Sequence, residues 1–134
     1  MIALVDGGST KCDWVILEND GTEVLKTETV GFNPNITKPE LISIELEKNQ
    51  ALTKFCDYLE NIFFYGSGCG TPENRLIVER EIQKVFTKSN IQVKEDLLAA
   101  AYAAYRGVPA IVCILTNHLW RTTIPCRFII PNIK

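Results

Sequence analysis

This 134-residue chain has very little histidine and no closely spaced pair of cysteines of the metal-binding kind. Its one histidine is His118, and its five cysteines are an odd number with no Cys-x-x-Cys pair among them. These absences argue against a zinc ribbon and against a disulfide framework, and they predict reduced thiols in a cytoplasmic protein. Because neither a carboxylate nor a cysteine adjoins His118, we interpret it as incidental rather than as a metal ligand.

The chain also lacks an excess of either charge and any long apolar run. Its formal net charge is −2, which gives no general electrostatic reason to expect nucleic acid or an anionic membrane as a partner. No apolar stretch approaches the roughly 20 residues that span a bilayer, and Asp6 and Asp13 do not suit a secretory signal. We therefore expect one domain with its own core and with neither a nucleic-acid nor a membrane partner.

Apolar patterning and turn signals predict strands and helices in a mixed order. The predicted strands cover 2–5, 14–17, 23–30, 62–66, 91–93 and 110–115. The predicted helices cover much of 38–60 with a capping box at Thr37 and Glu40, the stretch after Thr71-Pro72, and 95–107 with Gly107 just past its end. The order βββαβαβα, followed by a strand, predicts an α/β fold in which helices pack on a mixed sheet.

Polar loops follow several of the predicted strands. They cover residues 6–10, 31–35, 66–70 and 94–96. Because sites in such folds lie at the carboxyl ends of strands, these loops are expected to converge on one site.

Four sequence segments resemble one family in the same order along the chain. They are DGGSTKCDWVIL at 6–17, GFNPN at 31–35, FFYGSGCG at 63–70 and EDLLAAAYAAY at 95–105. Together they closely resemble the N-terminal lobe of the BadF/BadG/BcrA/BcrD-type ATPases, a group that includes N-acetylglucosamine kinases. The resemblance covers about residues 1–115. It implies the ribonuclease H-like fold that actin, sugar kinases and heat-shock chaperone ATPases share.

The resemblance implies that the first hairpin binds the phosphates of ATP. Asp6 resembles the carboxylate that positions Mg²⁺, usually through water. The glycines would let backbone N–H groups approach the phosphates, and Lys11 would add a positive charge. The residues that match this loop are Gly7, Gly8, Ser9, Thr10 and Lys11. From the residues alone, a plain β-hairpin with an ion pair between Lys11 and Asp13 remains open.

The resemblance also implies a sugar site. Asp96 would accept the proton of the attacking hydroxyl, with Glu95 as the neighbouring alternative, although an aspartate here also suits an ordinary helix cap. Asn33 and Asn35 match the substrate loop, although asparagines also occur in turns for their backbone conformation. Gly68 belongs to the next loop around the sugar.

The last residues depart from the family pattern. In the family the strand at 110–115 opens a second lobe and runs into a glycine-rich second phosphate loop, which the sequence after it lacks. All sixteen carboxylates lie at or before Asp96, and two prolines in 116–134 disfavour a basic membrane anchor there. We therefore expect a lobe over 1–109, an unpartnered strand at 110–115, and a truncated or frameshifted tail at 116–134 that packs irregularly or mediates homodimerisation.

The function that this resemblance implies is ATP-dependent phosphoryl transfer to an amino sugar such as N-acetylglucosamine. The 134-residue chain by itself is expected to be inactive, because this superfamily closes two lobes over ATP. Two alternatives stay open. One is an ATPase activator of a reductase or dehydratase, which in this group holds an iron–sulfur cluster between subunits through cysteines. The other is a non-enzymatic lobe that binds a sugar or a partner.

Overall fold

A five-stranded mixed sheet forms the centre of the computed structural model, which describes residues 1–104, 111–112 and 128–129. The sheet order is β3-β2-β1-β4-β5, with β1, β2 and β3 antiparallel and with β4 and β5 parallel to β1. This arrangement confirms the predicted mixed α/β fold. The strands are β1 (Ile2–Gly7), β2 (Lys11–Leu17), β3 (Glu23–Val30), β4 (Asn61–Gly66) and β5 (Asn90–Glu95).

Four helices occur in the described part of the chain: α1 (Pro39–Lys48), α2 (Gln50–Thr53), α3 (Pro72–Val85) and α4 (Asp96–Ala104). The described residues fall into two compact units that divide between Asp96 and Leu97. None of these helices is long and apolar enough to cross a membrane. The predicted helix end at Gly107 lies outside the described residues, and so does the boundary proposed at residue 109.

One face of the sheet carries the core of the first unit. Buried strand residues alternate with half-buried or exposed ones because successive side chains point to opposite faces. Trp14 of β2 is fully buried, and its ring stacks on Phe86 with centroids 6.1 Å apart. The helical part of this core comes from one side of α1 and one side of α3, with Ile42, Leu46, Val78 and Ile82.

The single helix predicted over much of 38–60 is wrong. The chain forms α1 and then the short α2, and the break between them falls at Asn49. The Asn49 side chain accepts a hydrogen bond from the backbone N–H of Leu52 at 3.2 Å, so it caps α2 instead of continuing α1. A short amide side chain that competes for backbone donors is a common reason for such a break.

The capping box predicted at Thr37 and Glu40 is also wrong. The helix cap is Lys38, which makes no side-chain cap hydrogen bond, and Pro39 takes the first helical position. Thr37 instead donates its hydroxyl to the carbonyl oxygen of Gly31 at 3.0 Å. The predicted cap of α3 is confirmed, because the Thr71 side chain accepts from the Asn74 backbone N–H and Pro72 follows it.

A buried carboxylate joins α1 to α3. Glu81 is only 7% exposed, and its carboxylate accepts from the Ser43 hydroxyl at 2.9 Å and from Lys84 Nζ at 2.6 Å. Replacing Ser43 with Ala should lower the free energy of unfolding by about 1 kcal/mol, because the buried Glu81 side chain loses a hydrogen-bond donor. Urea unfolding of the chain measures this change. Lys48→Ala, which breaks an exposed ion pair on α1, is the control and should cost less than about 0.5 kcal/mol. If Ser43→Ala and Lys48→Ala lowered the free energy of unfolding equally, a stabilising role of the hydrogen bond from Ser43 to Glu81 would be contradicted.

The strand predicted at 110–115 is described only at Ile111–Val112, which form β6. The expectation that this strand lacks a partner is wrong, because β6 pairs antiparallel with β7 (Phe128–Ile129). The pairing gives backbone N–H and C=O groups of both strands hydrogen-bond partners. The rest of the predicted tail, including His118, lies outside the described residues.

Candidate functional site

The predicted polar loops meet at one edge of the sheet. In the parallel strands, Gly7 lies beside Gly66, and Gly66 lies beside Glu95, so three strands end in the same row. Neighbouring strands are about 4.8 Å apart, which places the first hairpin about 10 Å from the start of α4. The antiparallel pairing of Lys11 with Val30 brings the loop at 31–35 to the same edge.

The first hairpin is tight, and its glycines have packing reasons in addition to any role with phosphate. The Gly8 N–H donates to the carbonyl oxygen of Lys11 at 2.8 Å and closes the turn. A Cβ on Gly8 would lie 2.8 Å from that oxygen, and a Cβ on Gly7 would overlap the ring of Phe64. Ser9 and Thr10 form the exposed tip. The hairpin therefore presents two hydroxyl-bearing residues on a rigid turn.

Lys11 lies in a cross-strand ion cluster on the exposed side of the sheet. Its Nζ is 3.0 Å from Asp13 Oδ1 and 3.0 Å from Glu28 Oε1. The hydrogen bond with Glu28, followed by that with Asp13, raises the pKa of Lys11, and the Lys11 hydrogen bond lowers the pKa of Asp13. The ion pair considered from sequence is thus present, and contact of Lys11 with phosphate stays a prediction.

Asp6, the predicted magnesium residue, lies near the edge of the sheet where the loops meet. It is exposed in β1, one residue before the sheet edge, and its register neighbours are Asp13 in β2 and Tyr65 in β4. The described residues contain no group of three or more His, Cys, Asp or Glu side chains suited to a metal. Mg²⁺ that keeps most of its waters needs only one or two carboxylates, so the residues at this edge fit the ion.

Asn33 joins three loops through its side chain. It is 7% exposed, and its Nδ2 donates to Ser9 Oγ at 2.8 Å and lies 3.5 Å from Ser67 Oγ. The two serine oxygens are 3.3 Å apart, and Asn33 Oδ1 accepts from the backbone N–H of Asn35. Both ends of the Asn33 amide are thus bound within the protein. Its direct contact with a sugar stays a prediction, whereas its link between the hairpin and the loop at 66–70 is observed.

An open cleft of about 370 Å³ lies beside this network. It brings together Asn35, Gly68 and Asp96, which the sequence singled out, and Glu95, the alternative to Asp96. Gly68 has a φ of 79°, a left-handed conformation that favours glycine, and a Cβ there would overlap Asn33 Oδ1. The complete lining is Asn35, Gly66, Gly68, Cys69, Gly70, Thr71, Asn74, Glu95 and Asp96.

Two further residues at this edge were not singled out individually from the sequence. Ser67 contacts the hairpin, and Asn74 of α3 donates through Nδ2 to Asn35 Oδ1 at 2.9 Å and to the Gly68 carbonyl oxygen at 2.8 Å. An amide three residues past the helix cap is the only available signal for Asn74. Its partner in the cleft is 39 residues away in sequence, so local patterning could not identify it.

Asp96 is the first residue of α4 and lies in the cleft lining. A carboxylate in the first turn of a helix is stabilised by the N–H dipoles there, whatever else it does. Burial raises the pKa of the neighbouring Cys69 to about 11, and the charge of Asp96 adds to that increase. The cleft thus pairs an ionisable carboxylate with a thiol that stays protonated at neutral pH.

The described cysteines give no support to an iron–sulfur site. Burial raises the pKa of Cys12 to about 12 and also raises that of Cys56. The thiols of Cys12, Cys56 and Cys69 are free. Cluster ligation needs thiolates, and burial favours the protonated thiols of Cys12 and Cys69. Cys113 and Cys126 lie outside the described residues.

The mixed sheet ends in a tight hydroxyl-bearing hairpin beside a cleft with a carboxylate, and similarity to a solved structure supports a kinase-like fold. A solved structure from Porphyromonas gingivalis, described as a putative N-acetylglucosamine kinase, matches with a TM-score of 0.77 and 30% sequence identity. The match covers 86% of this chain and 41% of that chain, so this chain spans less than half of the neighbour's length. No family model and no curated protein matches the chain.

Proposed function

We propose that this chain forms the N-terminal lobe of an ATP-dependent kinase that phosphorylates an amino sugar such as N-acetylglucosamine. The observation that carries the proposal is the common sheet edge of the hairpin at 7–11, the loops at 31–35 and 66–70, and the start of α4. The structural neighbour supports the same class of reaction. We further propose that the lobe belongs to the BadF/BadG/BcrA/BcrD-type ATPases and has the ribonuclease H-like fold.

Each part of the edge has one task in this reaction. Ser9 and Thr10 at the hairpin tip offer hydroxyl and backbone donors to phosphate oxygens, and Asp6 holds the hydration shell of Mg²⁺. The ion, when bound, offsets the charge that develops on the transferred group. Asp96 accepts the proton of a sugar hydroxyl in the cleft, and Asn35 binds the sugar there. The distance of about 10 Å between hairpin and α4 leaves room for a sugar hydroxyl facing a terminal phosphate.

A chimeric protein tests the proposal. Residues 1–104 of this chain replace the matching part of the Porphyromonas gingivalis protein, and transfer of ³²P from ATP to N-acetylglucosamine is measured. We expect sugar-dependent transfer by the chimera and little by the 134-residue chain alone, because one lobe cannot enclose ATP. ATP hydrolysis without sugar phosphate would support the ATPase-activator alternative and contradict the proposal. A folded chimera that binds sugar without any transfer would favour the non-enzymatic lobe.

A further inference from the structure

The hydrogen bonds of Asn74 fix the orientation of a second amide in the cleft. Asn74 Nδ2 is 2.8 Å from the Gly68 carbonyl oxygen, which can only accept, so the group that faces it must be the donor. The same Nδ2 is 2.9 Å from the amide of Asn35. Asn35 must therefore direct its acceptor, Oδ1, towards Asn74.

This orientation leaves Asn35 Nδ2 as a donor on the cleft side. Asn35 is exposed and lines the cleft together with Gly68 and Asn74. Its Nδ2 lies over Gly68, 2.9 Å from the position that a Cβ would take there. Among the described residues no side chain or carbonyl accepts a hydrogen bond from this Nδ2. Glycine at position 68 keeps the space beside the donor open.

We propose that Asn74 is a positioning residue that makes the cleft present a hydrogen-bond donor, Asn35 Nδ2, to the sugar. The proposal rests on the proposed function of the cleft as a sugar site. Asn74 acts here through Asn35 and has no part in the chemical step. Without Asn74, the Asn35 amide can turn over and present its oxygen instead.

The orientation of Asn35 matters for some substituents and not for others. A sugar hydroxyl can accept from Nδ2 or donate to Oδ1, so it binds either orientation. The carbonyl oxygen of an acetamido group only accepts, and a protonated amine only donates. A fixed Asn35 therefore favours an N-acylated sugar over the corresponding free amino sugar, and a turning Asn35 loses that preference.

Sugar binding to the 134-residue chain tests this inference. N-acetylglucosamine and glucosamine, below the pKa of its amine, are titrated into ¹⁵N-labelled chain, and the ratio of the two Kd values is compared between variants. The variants are Asn74→Ala, Asn35→Ala and the double variant, all without a change of charge. Attraction of the amine by Glu95 and Asp96 is common to every variant and cancels in the comparison. Asn90→Ala is the matched control, since Asn90 Nδ2 donates to Asn61 Oδ1 at the opposite ends of β4 and β5.

We expect Asn74→Ala to shift the Kd ratio about tenfold towards glucosamine, the scale of one hydrogen bond. Asn35→Ala should shift it equally, the double variant no further, and Asn90→Ala not at all. Equal weakening of both sugars by Asn74→Ala, with an unchanged ratio, would mean that Asn74 only supports the loop at 66–70, and would overturn the inference alone. A parent chain that binds neither sugar would overturn the assignment of the sugar site to this cleft and the inference with it, whereas transfer by the chimera tests the proposed function separately.

Discussion

Asp96→Asn should lower the rate of phosphoryl transfer by the chimera on the order of 10² to 10⁴-fold, with little change in its affinity for ATP. Asp96 lines the cleft at the start of α4, about 10 Å from the hairpin proposed to bind phosphate. Asparagine keeps the shape and the hydrogen bonding of a helix start, but it cannot accept the hydroxyl proton. The expected loss is therefore in kcat, measured with ATP and N-acetylglucosamine both saturating.

Two variants show whether the effect belongs to Asp96. Asp57→Asn changes an exposed aspartate that pairs with Lys88 at 2.7 Å, outside the cleft lining, and should leave kcat unchanged. Glu95→Gln removes the adjacent carboxylate, and a larger loss there than at Asp96 would transfer the role of base to Glu95. A rate within threefold of the parent for Asp96→Asn would mean that Asp96 only stabilises the helix start, a role that asparagine fills as well.

The strands could be predicted from the sequence because their patterns are local. Short apolar runs mark β1, β2 and β4, and the Asn-Asp-Gly turn separates β2 from β3. The helix predicted over 38–60 failed because apolar spacing continues past Asn49, while the Asn49 side chain stops the backbone there. Periodicity describes which face is apolar and does not detect a side chain that competes for a backbone donor.

The position of the site followed from the order of strands and loops, but the task of each side chain did not. The sequence motif suggests that Lys11 binds phosphate, but in the structure its ammonium group pairs with Asp13 and Glu28. The motif likewise suggests that Asn33 binds the sugar, but both ends of its side-chain amide make hydrogen bonds to protein groups up to 34 residues away in sequence. Such partners are chosen by tertiary packing, so a motif can locate a loop without showing which of its atoms remain available.

The contact between the hairpin and the loop at 31–35 leads to the largest stability effect that we expect. The Gly31 N–H donates to the Thr10 carbonyl oxygen at 2.9 Å, and a Cβ on Gly31 would overlap the carbonyl of Ser9 and lie 2.6 Å from Thr10 N. These are backbone atoms of a closed turn, which cannot move aside as a flexible side chain could. Gly31→Ala should therefore lower the free energy of unfolding by about 3 kcal/mol, measured by urea unfolding of the 134-residue chain.

Gly70→Ala supplies the matched comparison, because it adds the same methyl group where nothing lies within 4 Å. Gly70 has a negative φ, unlike Gly68, so alanine there should change stability by less than about 1 kcal/mol and can even increase it by restricting the unfolded chain.

In the chimera, Gly31→Ala should also weaken ATP binding more than sugar binding, since it displaces the hairpin tip and leaves the cleft lining intact. If Gly31→Ala and Gly70→Ala lowered the free energy of unfolding by the same small amount, close packing of the hairpin backbone against Gly31 would be contradicted. The tip proposed to bind phosphate would then be held mainly by the contacts of Ser9 with the Asn33 side chain and with Ser67.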